Sequence, residues 1–252
     1  MLAYFRIGFN GHLEPSENYS IRLICTERRI KMHQSGRSME FWHDRWQSQK
    51  IGWHRKMFND LLLKHWAKIS SVENGNVLVP LCGKSLDMLW LAKQGYTVVG
   101  IDMVEQAVKT FFTENELKYE SVDIGKHTKY SCQPFTIFHG NLLDLNAGLI
   151  QADAWYDRAA LIAISPSDRK DYVDQIRKQT KLGAVGLLIT FAYPQEQMPG
   201  PPFALHDDHV SDLFSEGFKL ERLEKIDLED EKDRGLTNVT SSVFKITRID
   251  DI

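Results

Sequence analysis

The sequence is short of cysteine, lacks an excess of basic charge and has no apolar run long enough to cross a bilayer. Only three cysteines occur in 252 residues, Cys25, Cys82 and Cys132. They are odd in number, widely spaced and form no C-x-x-C pair. That excludes a disulfide framework or a zinc cluster, and it predicts small buried or half-buried side chains in a reducing, cytoplasmic setting. Lys and Arg number 31 against 34 Asp and Glu, a formal charge of −3. Duplex nucleic acid is bound through a clustered basic excess, so no nucleic-acid partner is expected. The longest apolar run, residues 184–193 (AVGLLITFAY), is half of the roughly 20 residues a spanning helix needs, so no membrane partner is expected. What remains is 42% hydrophobic and 26% charged, an ordinary globular balance that excludes disordered, collagen-like or coiled-coil chains.

Residues 1–38 differ from the rest. They hold six Lys or Arg and three Glu, a charge of +3 that leaves −6 on the remainder. Turn formers interrupt them at Asn10-Gly11, Pro15-Ser16 and Ser35-Gly36, and no sustained periodicity appears. There is no apolar h-region of a secretory signal, and the glutamates argue against a transit peptide. The expectation is a poorly ordered extension over 1–38, with translation normally starting at Met32 or Met39, and one domain over 39–252.

From Met39 onward short apolar strands alternate with helices. Helices are predicted over 39–49 and 55–69, the second carrying Phe58, Leu61, Leu62, His65, Trp66 and Ile69 on one stripe. Buried strands are predicted at 76–81, 97–102, 135–139 and 154–164, with helices from Leu86 to Gly95 and over 104–117. Ser165-Pro166-Ser167-Asp168 reads as a helix start, with that helix running to 182–183 and the most hydrophobic strand at 184–193. After a helix near 209–216, segments 218–227 and 240–249 read as an antiparallel pair on one sheet edge. The charged run 229–234 between them reads as a solvated hairpin loop. The pattern predicts an α/β, Rossmann-like fold: a mostly parallel seven-stranded sheet, helices on both faces and an antiparallel C-terminal strand.

In open α/β sheets ligands bind at the carboxyl ends of strands, near the point where strand order reverses. The first strand ends in Pro80-Leu81-Cys82-Gly83-Lys84-Ser85 and the second in Asp102. Gly83 lets backbone approach a ligand, and an acid nineteen positions later suits ribose hydroxyls, although a strand-end Asp equally caps the next helix. The P-loop spelling fails because its first glycine position holds Leu78, and a dinucleotide G-x-G-x-x-G is absent. The crevice therefore suits a cofactor with ribose and adenine but no phosphate, such as S-adenosyl-L-methionine. A nicotinamide-dependent dehydrogenase is disfavoured by the same missing glycines.

The stretch PLCGKSLDMLWLAKQGYTVVGID (80–102) resembles the thiopurine S-methyltransferase family, and its PLCGKS loop resembles the bacterial branch. FWHDRW (41–46) and IGWH (51–54) are similar to that family's N-terminal cofactor lid. YDRAALIAISPSDRKDYV (156–173) is similar to its fourth-strand motif, and PGPPF (199–203) to its active-site loop. The resemblance implies a class I methyltransferase with cofactor contacts at Trp42, Trp46, Leu81, Gly83, Asp102 and Arg158. Asn141 stands where this fold often places an Asp for the adenine amino group. Pro201, Pro202 and Phe203 would form a flat apolar acceptor wall, and Arg158 would favour an anionic acceptor. Without the resemblance, Trp42 and Trp46 would read as core and Arg158 as an ion-pair partner; Trp53 and Trp66 read as core in either case.

The implied reaction is methyl transfer from S-adenosylmethionine to an aromatic or heterocyclic thiol, with no general base and no metal. His206-Asp207-Asp208-His209 has ligand types at one-turn spacing but no identifiable third ligand. Small thiols, halide or thiocyanate, and selenium or tellurium species are alternative acceptors for the same cofactor; a non-catalytic S-adenosylmethionine-binding protein is the alternative of another class. A small-molecule thiol substrate and a monomer are expected, since no apolar stripe is left over once the sheet and helices are covered.

Overall fold

The computed structural model describes residues 39–69 and 74–250. The expectations for residues 1–38, including the start of translation and the burial of Cys25, lie outside the described residues.

In chain order the elements are α1 (Met39–Gln47), α2 (Asp60–Ile69), β1 (Asn76–Pro80), α3 (Asp87–Lys93), β2 (Thr97–Asp102) and α4 (Glu105–Glu114). There follow β3 (Glu120–Ile124), β4 (His127–Cys132), β5 (Phe135–His139), β6 (Ala152–Arg158), α5 (Arg169–Gln179), β7 (Thr180–Ile189), α6 (Asp207–Leu213), β8 (Phe218–Asp227) and β9 (Thr240–Arg248). Among the described residues, nine strands form one sheet in the order β3-β4-β5-β2-β1-β6-β7-β9-β8. The centre, β5-β2-β1-β6-β7, is parallel throughout, and each edge carries an antiparallel pair. All seven expected strands are present. The two further strands, β3 and β4, fall in a stretch without a strand signal in sequence; β3 is exposed along nearly its whole length and shows no apolar alternation.

Parallel strands covered on both faces are apolar throughout, and successive side chains of β1 accordingly enter opposite cores. Leu78 joins Trp155, Tyr172, Ile176 and Val210 on the face covered by α5 and α6. Val77 and Val79 join Leu62, Trp66, Leu91 and Phe111 beneath α2, α3 and α4. The Trp155 indole fits only because Gly186 opposes it on β7; a Cβ there would lie 2.0 Å from Trp155 Cε2. Trp66 is buried as expected, and so is Cys82, with Cys132 half-buried.

Several boundaries move, each for a local reason. α2 begins at Asp60 rather than 55 because the Asn59 side chain accepts from Leu61 N–H at 2.9 Å and Leu62 N–H at 3.3 Å, capping the helix. The expected strand 154–164 stops at Arg158: Asp157 Oδ1 accepts from Leu161 N–H at 3.1 Å and turns the chain into a 3₁₀ turn, Leu161–Ala163. α5 ends at Gln179 and β7 starts at Thr180, whose backbone is already extended and whose hydroxyl donates to the Ile176 carbonyl at 2.9 Å. Among the described residues no helix is long and apolar enough to cross a membrane.

Candidate active site

Strand order reverses at β1, between β2 on one side and β6 on the other, so their carboxyl ends face one crevice. The chain leaves β1 through Leu81 in left-handed backbone (φ 47°) and turns again at Gly83 (φ 51°). Gly83 meets two demands at once: that backbone conformation, and a Trp46 ring whose Cζ2 would lie 3.3 Å from any Cβ. Its N–H donates to Asp102 Oδ2 at 2.8 Å, while Val104 N–H donates to Oδ1 at 2.9 Å. Burial pushes the Asp102 carboxyl up to about 6, and those two backbone donors pull in the opposite direction. Each carboxylate oxygen retains a lone pair for a further donor, the arrangement a vicinal diol requires.

The entrance to this crevice is aromatic. α1 brings Trp42 and Trp46, and Trp53 stands edge-on to both, with ring centroids 5.4 Å and 6.5 Å away. The segment 51–59 is fastened to β6 at two points. Arg158 Nη2 donates to the Trp53 carbonyl at 2.9 Å. Asp87, buried at the start of α3, accepts from Asn59 N–H at 2.8 Å and from Tyr156 O–H at 2.9 Å. Burial, together with the Asp87 carboxylate, pushes the Tyr156 hydroxyl well above its usual range, so it remains a donor. Burial and the Lys84 ammonium hold the His54 imidazole below its ordinary value, which leaves it neutral at pH 7. Burial and nearby Asp102 push the Cys82 thiol up, so it is no nucleophile.

Opposite lies a largely apolar wall made by Phe191, Met198, Pro201, Pro202, Ile226 and Leu228. Its proline loop is pinned from behind: Tyr193 O–H donates to the Pro202 carbonyl at 2.6 Å, and Gln195 Oε1 accepts from Ala204 N–H at 2.8 Å. Crevice and wall enclose one cavity of about 830 Å³, in the upper part of the roughly 300–1,000 Å³ range of small-molecule sites.

Of the residues singled out in the sequence, Trp42, Trp46, Leu81, Gly83, Asp102, Arg158, Pro201 and Pro202 all line this cavity. Two are not brought to it. Asn141 follows β5, where its Oδ1 accepts from Leu143 N–H at 3.1 Å and its carbonyl lies 2.9 Å from His127 Nε2. Phe203 donates its N–H to the Ile162 carbonyl at 2.7 Å, and its ring packs against Gly200. Conversely, Trp53, read as core, is half-buried and lines the cavity together with His54, Tyr156, Phe191 and Met198. Glu231 and Arg234 line it too, although their charged run reads in sequence as a solvated loop. The antiparallel β8–β9 pair holds the signal for them: β9 lies against β7 in the opposite direction, so the loop entering β9 emerges at the carboxyl end of β7.

The chain has counterparts among known proteins. A family model described as thiopurine S-methyltransferase matches residues 37–249. The chain belongs to the thiopurine S-methyltransferase family. It is similar to the thiopurine S-methyltransferase of Shewanella pealeana, 40% identical over 213 residues that cover 82% of this chain and 97% of that one. The Pseudomonas fluorescens thiopurine S-methyltransferase is 40% identical over 212 residues, again 82% and 97%. In fold it resembles a SAM-dependent methyltransferase from Methanosarcina mazei (TM-score 0.56, 15% identity, 77% of this chain and 99% of that one). It also resembles a Burkholderia thailandensis 1,6-didemethyltoxoflavin-N1-methyltransferase with bound S-adenosylhomocysteine (TM-score 0.53, 14% identity, 96% and 94%). Membership of the thiopurine S-methyltransferase family makes the chain an enzyme, a SAM-dependent S-methyltransferase, and implies S-adenosylmethionine as the methyl donor. The alternative of a non-catalytic binding protein is thereby set aside.

Proposed function

We propose that this family member methylates an aromatic or heterocyclic thiol within the cavity between Asp102 and the Pro201-Pro202 wall. One observation carries the reading: a polar crevice suited to a ribose diol and a flat apolar wall meet in a single cavity, with the Arg158 guanidinium lining it. The residues fit an adenosyl sulfonium. Asp102 would accept from the ribose hydroxyls, and the backbone at Leu81 and Gly83 would border the methionine end. Trp42 and Trp46 line the cavity and would hold the sulfonium against their rings. When bound, S-adenosylmethionine supplies a methyl group activated by the positive sulfur.

The protein's own contribution is positioning and exclusion of water. Pro201, Pro202, Phe191 and Met198 give a planar acceptor a dry surface, with Phe203 fixing the loop behind. Arg158 is permanently charged, so it favours the thiolate over the thiol and lowers the cost of burying it. An aliphatic thiol has a pKa near ~8.5, and ring delocalisation makes a heteroaromatic thiol more acidic; no side chain need remove its proton. We read residues 39–252 as one catalytic domain, monomeric and cytoplasmic, acting on a small molecule and not on nucleic acid; the cysteine pattern and charge balance support this.

Calorimetric titration with S-adenosylmethionine, NAD and ATP tests the cofactor reading, with binding of the first alone expected. A screen of aromatic thiol, aliphatic thiol, iodide and selenite then tests the acceptor. Faster turnover of iodide or selenite than of the aromatic thiol would overturn it.

A further inference from the structure

The acceptor side of the cavity carries one ion pair, Glu231 with Arg234. It sits in the loop that enters β9, where Lys232–Arg234 forms a 3₁₀ turn. Glu231 Oε2 and Arg234 Nη1 are 2.5 Å apart, and both side chains are more than a third exposed. Pairs this accessible add little to stability. The turn itself is held by backbone, through Arg234 N–H and Leu236 N–H donating to the Glu231 carbonyl. Among the described residues nothing in the fold therefore demands a carboxylate at 231.

Arg234 also reaches across the cavity mouth. Its Nη2 lies 3.3 Å from Met198 Sδ, and its guanidinium stands 5.8 Å from the Phe191 ring centroid. Both of those residues belong to the apolar wall. The two loops are joined beside it: Gln197 Nε2 donates to Thr237 Oγ1 at 2.8 Å, and Thr237 N–H donates to Gln197 Oε1 at 2.9 Å. The pair is thus held at the wall by other contacts. Arg234 offers a second positive charge on the acceptor side of the cavity, and Glu231 already occupies it.

We infer that Glu231 is a specificity-determining residue that sets the charge preference for the acceptor, by competing with an acidic group on the acceptor for Arg234. This rests on the thiol-acceptor reading above. An acceptor with a carboxylate on its ring must displace Glu231 from Arg234, leaving that carboxylate unneutralised, or forgo the guanidinium, and either outcome costs binding. An acceptor without that group makes no such exchange. Removing the charge at 231 exposes Arg234 to the acceptor; removing it at 234 leaves Glu231 to repel an anion.

The test compares 4-mercaptobenzoate with thiophenol, the same ring and thiol with and without the carboxylate. The ratio of their kcat/KM values is measured for the wild type, Glu231→Gln and Arg234→Gln, with calorimetric binding of each thiol beside S-adenosylhomocysteine as a readout independent of turnover. The ratio should rise three- to tenfold in Glu231→Gln and fall by a similar factor in Arg234→Gln. Both shifts should shrink as salt is raised from 50 mM to 500 mM, because the groups are solvent-accessible. Both substitutions lie on the surface and leave the backbone turn intact, so folded variants are expected. Ratios that stay within twofold of wild type, or that move in the same direction in both variants, overturn the inference and leave the S-methyltransferase reading standing. A wild type that turns over neither thiol overturns the acceptor reading and the inference with it.

Discussion

Asp102 is placed under opposed demands. Its ordinary carboxyl value of 3.8 is raised to about 6 by burial, so the fold opposes its ionisation, while the ribose contact proposed for it needs the ionised form as acceptor. Its contribution to stability is therefore greatest below its ordinary value and is lost as pH rises toward 6. Cofactor binding should run the other way, strongest above pH 6 and weakening as pH falls through it. We expect S-adenosylhomocysteine affinity to drop about tenfold between pH 7 and pH 5, the loss expected when only about a tenth of the carboxylates remain ionised. The profile should be flat in Asp102→Asn, which would bind more weakly at neutral pH. An unchanged slope in that variant would assign the titration to another group. Arg158 supports a second expectation. Among the described residues it makes one hydrogen bond, to the Trp53 carbonyl, so Arg158→Ala should cost about 1 kcal/mol in stability. The same change should lower kcat/KM for an aromatic thiol by about a hundredfold; unchanged turnover would remove Arg158 from the mechanism.

Helices and strands were legible where their own sequence decides them. The one-sided stripe of α2 and the apolar runs of β1, β2 and β7 need no distant partner to be recognised. Their ends were less legible, because each is fixed by a single side chain reaching backbone: Asn59 at α2, Asp157 after β6, Thr180 between α5 and β7. β3 was invisible since it is an exposed edge strand whose pairing with β4 supplies the order its composition lacks. The tie between elements at Asp87 gives a test at this scale. Asp87→Ala leaves the Tyr156 hydroxyl and Asn59 N–H buried without an acceptor, which should cost about 2–4 kcal/mol, while Tyr156→Phe should cost only about 1 kcal/mol. Urea denaturation measures both. Equal losses in the two variants would show that Asp87 does not join these elements.

Over the whole molecule, the candidate active site is a product of strand order. β1, β2 and β6 open the crevice at the switch point, and β9, inserted antiparallel between β7 and β8, returns the 229–239 loop to the same edge of the sheet. The cavity is lined by residues from α1 to β9, so a ligand seated there should stabilise the entire domain. S-adenosylhomocysteine at a hundred times its dissociation constant should add about 2.7 kcal/mol, which for a domain of this size corresponds to roughly 5–10 °C in Tm. NAD and ATP should produce no shift; a comparable rise with either would point to a different crevice.

The sequence alone determined the alternation of elements, the α/β class and the place of the crevice at the carboxyl ends of β1 and β2. Those follow from periodicities of a few residues and from motifs such as PLCGKS and a strand-end acid, whose geometry is set within one turn of chain. Tertiary structure decided what local spacing does not encode. It brought Trp53 to the cavity, left Asn141 and Phe203 away from it, and carried Glu231 and Arg234 to the apolar wall. The physical reason is sheet topology: residues more than seventy positions apart, such as Arg158 and Arg234, line one cavity only once β9 has paired with β7.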